Sequence, residues 1–223
     1  MNTIPHIQAD PGWSVVTGQS IGPAVPKIVI TPKPPPQPVG SLLLGITGVK
    51  GKYADGVARS VDYPLPANAG NLALAVTFSV DPASLEFTQA IEIGCKPTLP
   101  DGTTLNGQLQ FDYGKSATEM TLDLTSVKGS DWAPTTLTLP KFAPNVRHTV
   151  SIAYKLDVPG KKISVMTVLV DGTLFETPAA MQGVPGKALG WAKDRVMVNC
   201  QANTNPKGGT WQWEIYDAEL SGW

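Results

Sequence analysis

Residues 148–176 read HTVSIAYKLDVPGKKISVMTVLVDGTLFE. From Thr149 to Leu156, Val150, Ile152, Tyr154 and Leu156 alternate with Thr149, Ser151, Ala153 and Lys155. A period of two marks a strand with one buried face. Asp157 to Lys162 break the pattern with Pro159 and Gly160, a turn pair. Ile163 to Val170 are rich in β-branched residues and end at Asp171-Gly172, a tight-turn signal. Thr173 to Glu176 start a short third strand. The stretch is an antiparallel β unit, and the rest of the chain follows its style.

Working outward, Asn71 to Val80 alternate Leu72, Leu74, Val76 and Phe78 with Ala73, Ala75, Thr77 and Ser79. Further strands are expected at Ser41 to Thr47, Val57 to Tyr63, Phe87 to Lys96, Gln108 to Tyr113, Glu119 to Thr125 and Thr135 to Leu139. Arg195 to Ala202 and Thr210 to Leu220 close the series. Asp81 with Pro82 fits a single helical turn, Asp81 capping and Pro82 first. Residues 97–107, 126–133, 177–193 and 203–209 read as loops, with Asp131 and Trp132 at the tip of the second. About eleven or twelve short strands and no long helical pattern mean an all-β sandwich or barrel.

The first 40 residues differ. Nine prolines fall between Pro5 and Pro38, and KPPPQPV at residues 33–39 predicts stiff polyproline II. Two domains are therefore expected: an extended Pro-rich arm over 1–40 and a β body over 41–223. Within the arm, KIVIT at 27–31 is β-prone, so Ile28, Val29 and Ile30 are candidates to add a strand to a partner sheet. Trp13, alone in a polar arm, is a candidate anchor for a partner pocket.

Net charge is −1 and only 16% of residues are charged, so no basic field for nucleic acid or anionic lipid exists. No apolar run approaches a membrane span. The N-terminus, MNTIPHIQADPGW, lacks a basic start and an apolar segment, so no signal peptide is expected in this chain. Cys95 and Cys200 either form a disulfide or pack as buried thiols.

Several segments together resemble laminin-G-like domains of the concanavalin A-like superfamily. VARSVDYPLP and NLALAVTFSV look like the opening strand pair. Arg147-His148-Thr149-Val150 followed by LVDG at 169–172 looks like its most recognisable segment, with Arg147 where a Trp is usual and Val168-Leu169 in place of the usual Tyr. RVMVNCQ and WQWEIYDAELSGW look like its closing strands. The resemblance covers residues 41–222. It implies a jelly-roll sandwich of two antiparallel sheets, one of them concave, and a packing role for His148. Members include lectins, glycosidases, adhesion modules and virion proteins, so the fold does not choose a function.

Candidate chemistry is sparse. Glycosidase carboxylates of this superfamily share one strand, and Glu214, Asp217 and Glu219 are the only candidates here. In a regular strand Glu214 and Asp217 point to opposite faces, and only a bulge between them would bring them together. Two His and two Cys give no zinc spacing. Metal binding stays undetermined; a calcium ion would have to use loop carboxylates such as Asp101, Asp131 and Asp194. No catalytic residue and no cofactor are expected. Sugar binding needs an aromatic platform beside polar groups, and Asp131, Trp132 and Trp191 are the best candidates. Trp211 and Trp213 read as core.

The expectation is a non-catalytic recognition module, carbohydrate-binding or adhesive, at the extracellular or virion surface. The alternative is a structural subunit of a virion or extracellular assembly whose arm docks on a neighbouring chain. The expected partners are a glycan or a neighbouring protein subunit, including a second copy in a homo-oligomer, with no nucleic acid and no membrane span.

Overall fold

A computed structural model describes residues 2–17, 27–33, 40–66, 69–114, 116–125 and 132–223. In chain order its strands begin with β1 (Asn2–Ile4), β2 (Ser14–Thr17), β3 (Lys27–Lys33), β4 (Ser41–Gly48) and β5 (Ala54–Arg59). Next come β6 (Tyr63–Pro64), β7 (Asn71–Val80), β8 (Thr88–Thr98), β9 (Thr103–Thr104) and β10 (Leu109–Asp112). Then follow β11 (Glu119–Thr125), β12 (Trp132–Pro140), β13 (His148–Asp157), β14 (Lys162–Val170) and β15 (Thr173–Phe175). The last are β16 (Val184–Pro185), β17 (Lys187–Ala188), β18 (Arg195–Thr204) and β19 (Gly209–Gly222).

All pair antiparallel in two sheets. Sheet I runs β15-β14-β13-β7-β19-β4-β3, with β1 on β19 and β16 on β14. Sheet II runs β12-β11-β10-β8-β18-β5-β2, with β6 on β18 and β9 joining β8 to β17. The expected two-sheet sandwich is what the chain forms. The hairpin from β13 to β15 lies where its alternation puts it, and Asp171 and Gly172 turn it with φ of 51° and 80°. Positive φ at both central residues is what the right-handed strand twist requires of a two-residue hairpin turn.

Apolar alternates from both sheets face each other: Leu72, Leu74, Val76 and Phe78 of β7 and Val150, Ile152 and Tyr154 of β13 against Ile91, Ile93, Phe111, Val198 and Cys200. An aromatic chain bridges the layers. Trp213 meets Phe78 edge-on at 5.2 Å, Phe78 meets Phe142 at 4.9 Å, and Phe142 meets Phe111 at 5.3 Å. Trp211 and Trp213 are buried, as their strand pattern predicts. His148 packs on Phe142; its Nδ1 lies 2.7 Å from Asp171 and its Nε2 3.0 Å from the Ala143 carbonyl. Cys95 and Cys200 are free and buried, so the disulfide alternative is corrected to two packed thiols.

The first 40 residues are not a separate arm where they are described. β1 pairs with β19, β2 with β5 and β3 with β4, and Ile7 lies in the core. KIVIT therefore adds its strand to its own sheet, with Ile28 opposite Ile46, Val29 opposite Gly45 and Ile30 opposite Leu44. Trp13 packs against its own core, and its indole N–H donates to the Ile7 carbonyl at 2.8 Å. Among the described prolines, Pro5 and Pro11 fall between β1 and β2, and Pro32 lies in the terminal strand β3.

Gln8 explains why the N-terminal segment is held. β19 pairs with β4 from Gly209 to Ile215 and with β1 from Leu220 to Gly222. Between these, a register shift at Ile215/Asp217 makes a bulge. Backbone groups there have no strand partner on that edge, and leaving them unmet would be costly. The buried Gln8 amide meets them: it donates to the Tyr216 carbonyl at 3.0 Å and accepts from the Ala218 N–H at 2.8 Å. Gln8→Ala should lower the unfolding free energy by about 1–3 kcal/mol, the cost of orphaned buried hydrogen-bonding groups. Urea unfolding checks this; an unchanged midpoint would contradict the role of Gln8.

Candidate functional site

Most outward residues of a solvated sheet are exposed. On the outer face of sheet II they are polar and buried or half-buried. In β8, Ile91, Ile93 and Cys95 point to the core, so Glu92 and Lys96 point outward. In β18 the core takes Val196, Val198, Cys200 and Ala202, which leaves Asn199, Gln201 and Asn203 outside. Register sets Gln201 opposite Glu92, Glu92 opposite Gln110, and Gln110 opposite Asp123. β5 adds Asp55 opposite Asn203 and Arg59 opposite Asn199. β5 spans Ala54–Arg59, not Val57 to Tyr63 as its sequence pattern predicts. The strand starts at Ala54, because pairing with β18 outweighs the turn character of Asp55-Gly56.

Glu92 is the centre of this face. It is 2% exposed. Four amides donate to its carboxylate: Asn203 at 2.6 Å, Gln108 at 2.6 Å, Gln201 at 3.1 Å and Gln110 at 3.3 Å. The Gln201 amide also donates to Asn203 Oδ1 at 3.0 Å. Gly94 makes room for this: a Cβ there would lie 2.5 Å from Gln108 Cα, so a side chain would push Gln108 away.

Burial raises the Glu92 pKa to about 7; the Asn203 amide, the Lys96 charge and the Gln110 amide pull the other way, and Asp55 adds to the rise. Lys96 is lowered to about 8, by burial first and then by Arg59, with Glu92 opposing. Burial also raises Asp55 and lowers Arg59.

A cleft of about 250 Å³ opens over this network, lined by Tyr53, Asp55, Gln89, Gln110, Gln201, Asn203 and Trp132 with Glu92 at its floor. Trp132 opens strand β12 instead of tipping a loop, since Trp132 pairs with Thr125. Trp191 lies farther along β8, its ring 5.1 Å from the Arg59 guanidinium and 5.9 Å from the Lys96 ammonium. Two of the three predicted ligand residues thus share one face. Asp131 lies outside the described residues. The amide array and Glu92 were missed, because a polar residue in an alternating strand looks like an ordinary solvated position. The one available signal was the N-x-Q-x-N run at 199–203, dense in amides for a strand.

The other carboxylates weighed as candidates are scattered. The bulge does bring Glu214 and Asp217 to one face, on the outside of sheet I, with Glu219. There Glu214 accepts from Ser41 at 2.5 Å and from Tyr216 at 3.3 Å, while Asp217 lies 3.2 Å from His6 Nδ1. Asp101 pairs with Lys161 at 2.7 Å, and Asp194 sits in a turn with φ of 54°. Among the described residues, no three His, Cys, Asp or Glu gather as a metal site. No helix there is long and apolar enough to cross a membrane.

No protein-family model matches the chain, and no curated protein matches it in sequence. Solved structures do. The Emp47p carbohydrate recognition domain is 13% identical with a TM-score of 0.53, over 99% of this chain and 94% of that one. The seed lectin of Lotus tetragonolobus is 13% identical with a TM-score of 0.52, over 100% and 98%. Lectin II from Ulex europaeus is 12% identical with a TM-score of 0.52, over 99% and 98%. The chain has the concanavalin A-like lectin fold.

Glu92 leaves a pH signature. Its folded pKa of about 7 lies above the ordinary 4.5, so the folded chain keeps a proton the unfolded chain has lost. The contribution of Glu92 to stability is full below about pH 4.5 and falls as pH rises to about 7, by roughly 3 kcal/mol. Lys96 acts only above about pH 8, outside that window. Glu92→Gln should flatten the fall between pH 4.5 and 7 in denaturant unfolding. An equal fall in both proteins would contradict the assignment.

Proposed function

We propose that the protein is a carbohydrate-binding module that holds a glycan against the outer face of sheet II. The observation that carries this reading is the array of Gln110, Gln201 and Asn203 pinned by Glu92 beside Trp132. An amide has two N–H donors; Gln110 and Asn203 each spend one on Glu92 and keep the other for a sugar hydroxyl, while Gln201 spends both on Glu92 and Asn203. An aromatic ring beside such groups offers a flat apolar surface for the C–H face of a pyranose. Fixing the amides in advance lowers the ordering cost of binding. The lectin fold of the solved neighbours is consistent with this use.

The reading is of binding, not turnover. A pKa near 7 suits a general acid. Glu92, however, has both oxygens engaged by amides and almost no exposed surface, so it acts as the pin of the array. Secretion or display on a surface, where free glycans are met, accords with this role.

A second reading, a subunit of a larger assembly, has one feature in its favour. β3, with Ile28, Val29 and Ile30, is the terminal strand of sheet I, and a terminal strand can accept a neighbour's strand. Light scattering of the full chain tests it: a stable monomer removes it.

On an array of immobilised oligosaccharides, the full chain should bind a defined subset. Trp132→Ala should weaken that binding at least about tenfold, as expected for loss of a stacking platform worth over 1.4 kcal/mol. Thermal unfolding should be little changed, because Trp132 is only partly buried. Binding that survives Trp132→Ala at full strength would contradict the location, and an array without hits would contradict the function.

A further inference from the structure

Farther along β8 from Glu92 the same face changes character. Arg59 and Lys96 both stand over the Trp191 ring, and among the described residues neither forms an ion pair. Lys96 and Lys187 line a small adjoining cleft of about 70 Å³ with Thr104, Asn106 and Leu189, and no carboxylate lines it. Of the acids on this face, Glu92 accepts from four amides and forms no ion pair with Lys96, and Asp55 stands opposite Asn203 on a different row.

Buried polar groups in this region also lack partners. Asn199, opposite both Arg59 and Gly94, is 0% exposed, and neither its amide nitrogen nor its oxygen has a hydrogen-bond partner. Arg59 Nε is buried without one as well. A native interior rarely leaves such groups unmet unless a ligand or water completes them. The two cations are costly in each other's company, since burial and the Arg59 charge both press Lys96 toward its neutral form. A bound anion would reverse that penalty and gain from the low local dielectric.

We propose that Arg59, Lys96, Lys187 and Asn199 form an anion subsite that takes the carboxylate or sulfate of an acidic sugar unit. The proposal rests on the glycan reading above and names its ligand class. Glu92 and Lys96 are four residues apart on one strand, about 13 Å. A ligand that reaches from the amides to the cations is therefore longer than one sugar ring, and the favoured ligand is an acidic oligosaccharide. Trp191 would carry its ring beside the charged group, and the two cations would hold the charge.

The test uses the full chain and an array of neutral, uronate-containing and sulfated oligosaccharides, followed by calorimetric titration of the strongest acidic hit and its neutral counterpart. The acidic ligand should bind at least about tenfold more tightly than the neutral one, with an advantage that shrinks as salt rises. Lys96→Gln and Arg59→Gln should each remove most of that advantage and leave neutral binding nearly unchanged. Lys187→Gln, at an exposed position, should reduce it with the fold intact even if the buried variants unfold. Hits among uronates or among sulfated sugars both support the subsite and say which anion it takes. Hits confined to neutral sugars, or acidic binding unaffected by the variants, would overturn the subsite and leave the glycan reading standing. No hits of any class would overturn both.

Discussion

The outer face of sheet II is organised by one buried charge. A carboxylate that is 2% exposed needs its lone pairs satisfied, and Glu92 draws on residues from two neighbouring strands and one loop to do so. This is possible only in one register. A slip of β18 or β10 by a single residue against β8 would turn the amides to the core and the valines and leucines outward. The carboxylate and the apolar layer beneath it therefore enforce the same pairing. The cost of burying Glu92 is partly unmet, which is why its pKa rises. What that cost maintains is a fixed row of largely buried amides at the floor of a cleft.

The opposite sheet is governed by a different constraint. β19 must change partners along one edge, from β4 to β1, and the bulge at Tyr216 marks the change. Gln8 bridges the gap as a strand would. The N-terminal 40 residues thus look like a linker by composition and behave like part of the sandwich where they are described.

Much of the fold was legible because alternation is a local property. The β13–β15 unit, the Asp171-Gly172 turn, the capped turn at Asp81 and the two core tryptophans of β19 all follow from residues close in sequence. Trp132 and Trp191 were legible as candidates, since aromatic residues outside the core pattern stand out. Glu92 was not. Its environment comes from Asn203 and Gln201, more than a hundred residues away, and no local pattern distinguishes a glutamate in a buried polar face from one in water. β5 was offset for the same reason: Asp55 and Gly56 look like a turn until β18 is laid beside them. Trp13 and Ile28 to Ile30 were read as contacts for a partner, whereas Trp13 packs against this chain's own core and β3 pairs with β4.

Together these features give a sandwich whose inner faces hold it together and whose outer face on sheet II carries a polar, largely buried network. Neutral amides and Trp132 occupy one part of that face, and cations with Trp191 the next. The most direct measurement is an NMR titration of the full chain with an oligosaccharide selected on the array, following side-chain amide resonances. The account expects the amides of Gln110, Gln201 and Asn203 to shift first and most, followed by the Trp132 indole. Shifts confined to sheet I or to remote loops, with these amides unmoved, would contradict it.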